Sequence, residues 1–185
     1  FSARKGAVRD DPSLKVLECS GCGLVTLSSH AHVSSGHYEG SGMHGQEAPL
    51  MGSWLRETET DDQRRFDMVK TLLAGRKTLD FGCGAAGFLR KAQTVAAEAA
   101  GVEPEKRVRE HWGDKLTLHA RLEDAGKGYD LITAFHVLEH LPDPRAMLKD
   151  LAARLGEKGR LIIEGPSSED ALVTLYDNDA FQRFT

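Results

Sequence analysis

Short apolar runs alternate with helix-favouring segments in the second half of the chain, and this alternation limits the fold more than any other feature. The runs that we expect to form strands are residues 77–81, 100–103, 116–119, 129–134 and 160–164. Strands that alternate with helices pair in parallel through right-handed crossover connections. The pattern therefore predicts an α/β fold with a doubly wound, mostly parallel sheet.

The segments before and between these runs have helical character. Apolar residues recur at helical spacing over residues 61–75, where a final glycine can end the helix. Residues 87–99 are rich in alanine and favour a helix. Pro144 can begin another helix, whose buried face would extend from Met147 to Leu155. These helices would flank the sheet.

Composition and charge set the broad class of the protein. Residues 1–55 are rich in Gly, Ser and His, so we expect a small loop-rich N-terminal region there and the α/β domain over residues 56–185. The net charge of −4, with both signs interspersed, argues against nucleic acid as a partner. No apolar stretch is long enough for a membrane helix, and three cysteines do not make a disulfide framework. We therefore expect a soluble, cytoplasmic protein.

A glycine-rich turn follows the first predicted strand, in the segment LDFGCGAAGF. In a doubly wound sheet, ligands bind beyond the carboxyl ends of the strands. Gly82 and Gly84 would let the backbone turn tightly beside a ligand, and Gly87 would let the next helix pack close to the sheet. Alone this is weak evidence, because a glycine after a strand is also an ordinary way to make a turn.

Two acids narrow the choice of ligand. Glu103 lies 19 positions after Gly84, close to the spacing at which an acid accepts hydrogen bonds from a ribose; the alternative is a solvated glutamate before Pro104. The turn also fits the dinucleotide pattern of a nicotinamide-dependent oxidoreductase. However, Asp80 would repel a pyrophosphate and attract an ammonium group. The charge therefore favours S-adenosylmethionine over NAD.

Four segments resemble the successive motifs of class I S-adenosylmethionine-dependent methyltransferases: LDFGCGAAGFL, GVEP, YDLITAFHVLEHLPDP and LGEKGRLIIEGP. The likeness covers about residues 60–166 and is closest to the ubiquinone-biosynthesis O-methyltransferases and the sugar C-methyltransferases. It implies a Rossmann-like methyltransferase fold and methyl transfer to a small molecule. The residues that it places at the cofactor are Asp80, Gly82, Cys83, Gly84, Gly87, Glu103, Pro104, Leu122, Glu123, Ala134, Phe135 and His136.

The resemblance also implies individual roles. Asp80 and the first two glycines of the turn would line the methionine end of the cofactor, and Glu103 would bind the ribose. Leu122 would pack on the adenine, and Glu123 or Asp124 would accept from its amino group, although Asp124 is nearly as well suited to cap a helix. Cys83 is expected to be a small packing residue and not a nucleophile.

The loop after the fourth predicted strand supplies the catalytic candidate. By resemblance, His140 is the polar group that faces the acceptor, where an imidazole can act as a general base. The alternative is that Glu139 and His140 only hold the loop together by hydrogen bonds. His37 and Tyr38 occur where an N-terminal segment could close over the substrate, although they are equally suited to the surface.

Two cysteines raise the question of a metal. Cys19 and Cys22 have the spacing with which two thiolates bind zinc, and the sugar C-methyltransferases resemble this chain in having such an element before the methyltransferase domain. The alternative is a reduced pair left over from such a site. The remaining ligands would come from His30, His32, His37 or His44, or from a second pair ahead of Phe1.

The C-terminal segment leaves two further questions. Members of the family usually continue with a terminal hairpin, and only a short segment follows the last predicted strand here. An exposed strand edge would result. Either a partner covers it, as a second copy would in a homodimer, or the sequence is part of a longer protein. A non-catalytic binding module is therefore the third function that we consider.

Overall fold

The computed structural model describes residues 1–4, 13–29, 36, 38–40, 48–171 and 175 of the 185-residue chain. These residues belong to two compact units. One comprises Phe1–Ser35 with Pro166–Thr185, and the other comprises Gly36–Gly165. Among the described residues, no helix is both long and apolar enough to cross a membrane.

The smaller unit contains a three-stranded antiparallel sheet. Its strands are β1 (Ser2–Ala3), β2 (Val16–Glu18) and β3 (Val25–Leu27), in the order β1-β2-β3. The predicted loop-rich region thus contains short strands. The predicted boundary between the two domains, after residue 55, stays a prediction.

The larger unit is a five-stranded parallel sheet with helices. In chain order its elements are α1 (Met51–Leu73), β4 (Lys77–Phe81), α2 (Gly87–Ala92), β5 (Glu98–Val102), α3 (Lys106–Trp112), β6 (Thr117–His119), β7 (Tyr129–Phe135), α4 (Pro144–Ala152) and β8 (Leu155–Glu164). The strand order is β6-β5-β4-β7-β8, and each pair is parallel. The chain therefore builds outward from β4 on one side and then returns to the other. This confirms the predicted doubly wound fold and puts the switch point at β4.

The bounds of three helices differ from the prediction. Helix α1 begins at Met51, well before the predicted start at residue 61. Helix α2 ends at Ala92, residues 93–97 form a turn, and Glu98 and Ala99 already belong to β5, which pairs with β4. This tertiary pairing overrides the helix propensity of alanine. Helix α4 ends at Ala152, so Leu155 is the first residue of β8 and does not lie on the helix.

The central strands bring the acidic end of β4 into the middle of the sheet. Asp80 pairs with Gly101 of β5 on one side and with Thr133 of β7 on the other. Both β4 and β7 are buried over most of their length, as is usual for strands inside a parallel sheet. The turn that follows β4 therefore opens at the centre of the carboxyl edge of the sheet.

Candidate functional site

The turn after β4 needs glycine at two positions. Gly82 has a φ of 70°, in the left-handed region, and a Cβ there would lie 2.5 Å from Val137 Cγ2. Gly84 has a φ of 52°, and its Cβ would lie 3.4 Å from the indole of Trp54. Residues other than glycine rarely adopt this backbone conformation. The turn between β4 and α2 therefore needs glycine at both positions.

Gly87 has a different role from the predicted one. A Cβ at this position would overlap the carboxylate of Asp62 and lie 3.6 Å from Leu55 Cδ2, and both of these residues belong to α1. The glycine that allows α2 to approach the sheet is Gly101 in β5, where a Cβ would lie 2.7 Å from Leu89 Cδ2. Gly87 therefore allows the contact between two helices.

Asp80 is a buried acid at the end of β4. The residue is 5% exposed, and Oδ1 accepts a hydrogen bond of 2.7 Å from Thr133 Oγ1. Burial raises the pKa of Asp80 to about 7, and the negative charges of Asp62 and Glu103 add to the shift. The hydrogen bond from Thr133 and the positive charge of Arg65 oppose it. Burial therefore disfavours the ionised form of the Asp80 carboxyl group.

Glu103 is a second buried acid, and it is bonded to the turn. Its side chain is 6% exposed. Oε2 accepts a 2.8 Å hydrogen bond from Gly84 N, and Oε1 accepts one of 2.9 Å from Glu105 N. Burial raises the pKa of Glu103 to about 7, although these two hydrogen bonds oppose the shift. The alternative of a solvated glutamate is therefore wrong.

Both tryptophans of the chain lie against the turn. Trp54 of α1 lies beside Gly84, and Trp112 Nε1 of α3 donates a 3.0 Å hydrogen bond to Ala85 O. Cys83, inside the turn, lies close to Gly101, and burial raises the pKa of its thiol well above the ordinary value. A protonated, enclosed thiol is a poor nucleophile, which supports the packing role that we expect for Cys83.

The residues predicted at the adenine lie in a short 3₁₀ helix, Leu122–Ala125. Leu122 is 4% exposed and belongs to the same buried cluster as Phe81 and Val102. Glu123 is exposed. Asp124 does not cap this helix, which has no side-chain cap, and instead accepts a 3.4 Å hydrogen bond from Arg121 Nε. The capping alternative for Asp124 is therefore wrong.

The end of β7 presents an aromatic residue and a histidine. Ala134 and Phe135 are buried, and the ring of Phe135 lies edge-on to Phe88 with centroids 5.0 Å apart. His136 has a φ of 54°, which is unusual for a residue with a side chain. Its Nδ1 lies 3.1 Å from Glu139 Oε1 and its Nε2 lies 3.4 Å from Glu164 Oε1. Glu139 thus holds the loop through His136 and not through His140.

Arg65, a cation of α1 whose side chain is 13% exposed, was not among the predicted site residues. Its guanidinium lies 5.2 Å from the centroid of Phe135 and 2.8 Å from Glu164 Oε1, which Arg64 also contacts. Burial disfavours the ionised form of Glu164, but hydrogen bonds from the two arginines outweigh it and lower the pKa of Glu164 to about 2. In the sequence, two arginines on a polar helix face look the same whether they belong to a binding site or are exposed to solvent.

His140 lies beside Tyr38. Both belong to the larger unit, and Tyr38 Oη donates a 3.3 Å hydrogen bond to His140 O. The two rings meet edge to face, with centroids 6.4 Å apart. The structure thus brings together two residues that were predicted separately at the substrate. The neighbouring candidate His37 lies outside the described residues.

The two candidate zinc ligands lie in the link between β2 and β3. Cys19 O accepts a 2.8 Å hydrogen bond from Gly23 N, and the backbone amides of Gly21 and Cys22 lower the pKa of the Cys19 thiol. Thiolates suit zinc, but a structural site needs four ligands. In the part of the chain that the structure describes, no group of three or more metal-binding side chains is found. The other candidates, His30, His32, His37 and His44, lie outside it.

Comparison with protein families and curated sequences gives consistent matches. The sequence model of a family described as "Methyltransferase domain" matches residues 55–184. A ubiquinone biosynthesis O-methyltransferase of Vibrio parahaemolyticus is 35% identical over 102 residues, which cover 48% of this chain and 43% of the relative. One from Bordetella parapertussis is 30% identical over 128 residues, covering 62% of this chain and 47% of the relative. The chain thus spans about half the length of the curated relatives that it matches.

Solved structures share the fold at low sequence identity. The sugar N-methyltransferase KedS8 from a Streptoalloteichus species has a TM-score of 0.57 at 20% identity, with 66% of this chain and 56% of that one covered. A SAM-dependent methyltransferase from Archaeoglobus fulgidus has a TM-score of 0.54 at 22% identity, covering 65% and 59% of the two chains. Likeness at this level supports the Rossmann-like fold and nothing finer.

Proposed function

The chain belongs to the methyltransferase domain family, and from that premise we propose that it transfers a methyl group from S-adenosylmethionine to a small-molecule acceptor. The observation that carries the proposal is a pair of buried carboxyl groups at one glycine turn: Asp80, which precedes it, and Glu103, which is bonded to it. A buried acid is costly unless it meets an opposite charge or donors. A ligand that brings an ammonium group to one acid and hydroxyl groups to the other meets this need.

The methionine end of the cofactor has two charges, and the turn has a counterpart for each. Asp80 would attract the ammonium group. We assign the carboxylate of the ligand to Arg65, whose positive charge acts on Asp80 and which also pairs with Glu164. Glycine at positions 82 and 84 allows the ligand to approach the backbone closely. These opposite charges suit a zwitterion.

The adenosine end would lie toward β5 and the short helix that follows β6. Glu103 would accept from the ribose hydroxyls, beside Pro104. Carboxylate oxygens have two lone pairs each, so Glu103 can keep its bonds to Gly84 and Glu105 and still accept from a ribose. We assign Leu122 to the adenine face and exposed Glu123 to the adenine amine. Phe135 and His136, at the end of β7, complete the proposed cofactor site.

A nicotinamide dinucleotide fits this charge distribution poorly. Three acids surround the turn, since Asp62 of α1 is buried beside Gly87 in addition to Asp80 and Glu103. A pyrophosphate carries two negative charges and would meet them where the dielectric constant is low. The arrangement therefore favours a cationic sulfonium over an anionic dinucleotide.

Methyl transfer itself asks little of the protein beyond alignment. The positive charge of the sulfonium disappears as the methyl group leaves in an in-line displacement, so most of the rate gain comes from positioning the acceptor, the methyl carbon and the sulfur. A base helps when the acceptor is a hydroxyl or an activated carbon. We assign that role to His140, with Tyr38 beside it as an acceptor-contacting residue.

Turnover is tested with isotopically labelled S-adenosylmethionine and a panel of small acceptors. Because the curated relatives are named ubiquinone biosynthesis O-methyltransferases, phenolic hydroxyls come first in the panel. Label transfer that falls at least about tenfold in His140→Ala supports both the activity and the base. Binding of S-adenosylhomocysteine without transfer to any acceptor would support the non-catalytic module instead.

The remaining proposals concern zinc, location and assembly. We propose that Cys19 and Cys22 contribute two thiolates to a zinc ion, on the basis of their spacing, and derive no catalytic step from the metal. Elemental analysis of the purified protein tests this, since a stoichiometric metal lost in Cys19→Ser is expected. Cysteine usage also leads us to propose a cytoplasmic location. We also propose that two copies of the chain form a homodimer, and the mass measured by sedimentation tests this.

A further inference from the structure

Asp62 is the buried charge of α1. The residue is 6% exposed, whereas the other acids of the helix, Glu57, Glu59, Asp61 and Asp67, are exposed. Oδ2 accepts a 2.8 Å hydrogen bond from Thr58 Oγ1, and Oδ1 lies 4.0 Å from Arg65 Nη1. Burial raises the pKa of Asp62. Burying a carboxylate costs free energy. Its presence here therefore indicates a role that an apolar residue would not fill.

The carboxylate of Asp62 fills the space that a side chain at Gly87 would need. A Cβ built on Gly87 overlaps Oδ2 and lies 3.0 Å from Cγ of Asp62. Gly87 does not have a positive φ, in contrast to Gly82 and Gly84. The backbone conformation at position 87 therefore does not itself require glycine. Among the residues that the structure describes, Asp62 is the one that a side chain there would meet at less than ordinary van der Waals distance.

This contact fixes α1 at the start of α2, directly after the glycine turn. The same helix brings Trp54 to Gly84 and Arg65 to the neighbourhood of Asp80. Because α1 is one continuous helix from Met51 to Leu73, a shift at Asp62 moves both of these side chains relative to the turn. Small displacements of this kind weaken a ligand site that depends on positioned groups.

We propose that Asp62 is a positioning residue of the cofactor site: its carboxylate fits against Gly87 and thereby holds Trp54 and Arg65 at the turn. The inference rests on the proposed function, since it assigns Asp62 to the binding of the methionine end of S-adenosylmethionine. It adds a residue of α1 that lies outside the motifs of the sequence and explains the third glycine of the turn.

The test is a double-mutant cycle between Asp62→Ala and Gly87→Ala, with S-adenosylhomocysteine affinity measured by calorimetry. Gly87→Ala alone should weaken binding about tenfold or more, because the added methyl overlaps the carboxylate. In the double variant the shorter side chain leaves room for that methyl, so binding should recover at least about fivefold relative to Gly87→Ala. Additive losses would overturn the proposal.

Two further readouts separate positioning from mere structural support. Asp62→Ala removes the contact with Gly87 and should raise KM for S-adenosylmethionine about fivefold or more while kcat stays within about twofold. Asp62→Asn keeps the shape and the bond from Thr58, so it should restore KM to within about twofold of wild type. The matched control is Asp61→Asn, an exposed neighbour on α1, which should leave both constants unchanged. Equal losses in kcat and in cofactor affinity would contradict a positioning role.

Ligand binding by the wild-type protein distinguishes a failure of this proposal from a failure of the proposed function. If wild type does not bind S-adenosylhomocysteine, the proposed function fails, and the melting temperatures of the same four proteins still test the contact. Recovery of the melting temperature in the double variant relative to Gly87→Ala supports the steric match between Asp62 and Gly87. A double variant that melts below both single variants refutes it.

Discussion

The substitution Asp80→Asn should stabilise the cofactor-free protein at alkaline pH. The folded state raises the pKa of Asp80 from 3.8 to about 7, mainly through burial. A carboxyl group with a raised pKa contributes its full stability below the unfolded pKa and loses it as the pH rises through the folded pKa. Between pH 4 and pH 7 the native state therefore holds a proton that the unfolded chain has released. Asparagine cannot ionise, and its amide oxygen can still accept the bond from Thr133.

The stability gain of Asp80→Asn over wild type depends on how much of the range between pH 4 and pH 7 the experiment covers. Each pH unit in it costs the wild type about 1.4 kcal/mol of unfolding free energy. From pH 5 to the folded pKa of about 7, the advantage of Asp80→Asn over wild type should grow by about 3 kcal/mol and then level off. In a chain of this size that corresponds to roughly 6 to 12 °C in melting temperature. Glu103 titrates in both proteins, so its contribution largely cancels.

The assay is urea unfolding at pH 5, 6, 7 and 8, followed by tryptophan fluorescence, because both tryptophans lie beside the turn. The control is Asp114→Asn, an exposed aspartate in the turn before β6, for which no growing difference is expected. A stability difference between Asp80→Asn and wild type that stays constant over this range would refute the reasoning. So would a variant that is less stable than wild type at pH 8.

Three further predictions concern the turn and the acceptor side. Glu103→Gln keeps the size of the side chain but weakens the bonds to the amides of residues 84 and 105, so affinity for S-adenosylhomocysteine, measured by calorimetry, should fall at least about tenfold; an unchanged affinity would contradict the ribose role. Trp112→Phe removes the bond to the carbonyl of Ala85 and should lower the urea-unfolding free energy by about 1 to 3 kcal/mol, whereas a neutral result would show that the bond contributes nothing. Tyr38→Phe should lower kcat with the labelled donor less than His140→Ala does, since Tyr38 contacts the backbone of His140, and the reverse order would exclude His140 as the base.

The pattern of apolar runs was enough to predict the sheet. Strand β4 has the predicted bounds, and the five strands are parallel, as the alternation of strands with helices predicts. Their order in the sheet was not part of the prediction. The alanine-rich segment misled the helix prediction, because alanine favours a helix locally while its small side chain also fits a strand on which a helix packs. Pairing with β4, which the local sequence does not contain, places Glu98 and Ala99 in β5.

The motifs identified the acids of the site but not the residues that hold them. Asp80 and Glu103 are at positions that the strand-and-turn pattern specifies, and both are buried at the turn. Asp62 and Arg65, in contrast, occur in a charged stretch of α1 that looks solvated in sequence. Asp62 is buried where α1 packs against Gly87 of α2, and Arg65 is largely covered where α1 contacts Phe135 and Glu164. Helix packing over a long sequence separation leaves no periodic signal that a single sequence can reveal.

The central claim is that two buried acids and a bare backbone turn select a cationic sulfonium ligand over an anionic dinucleotide. Two calorimetric titrations of the wild-type protein at pH 8, one with S-adenosylmethionine and one with NAD, compare the two ligands most directly. We predict saturable binding of one S-adenosylmethionine per chain and no heat of binding with NAD. Saturable binding of NAD, with no response to S-adenosylmethionine, would contradict the account.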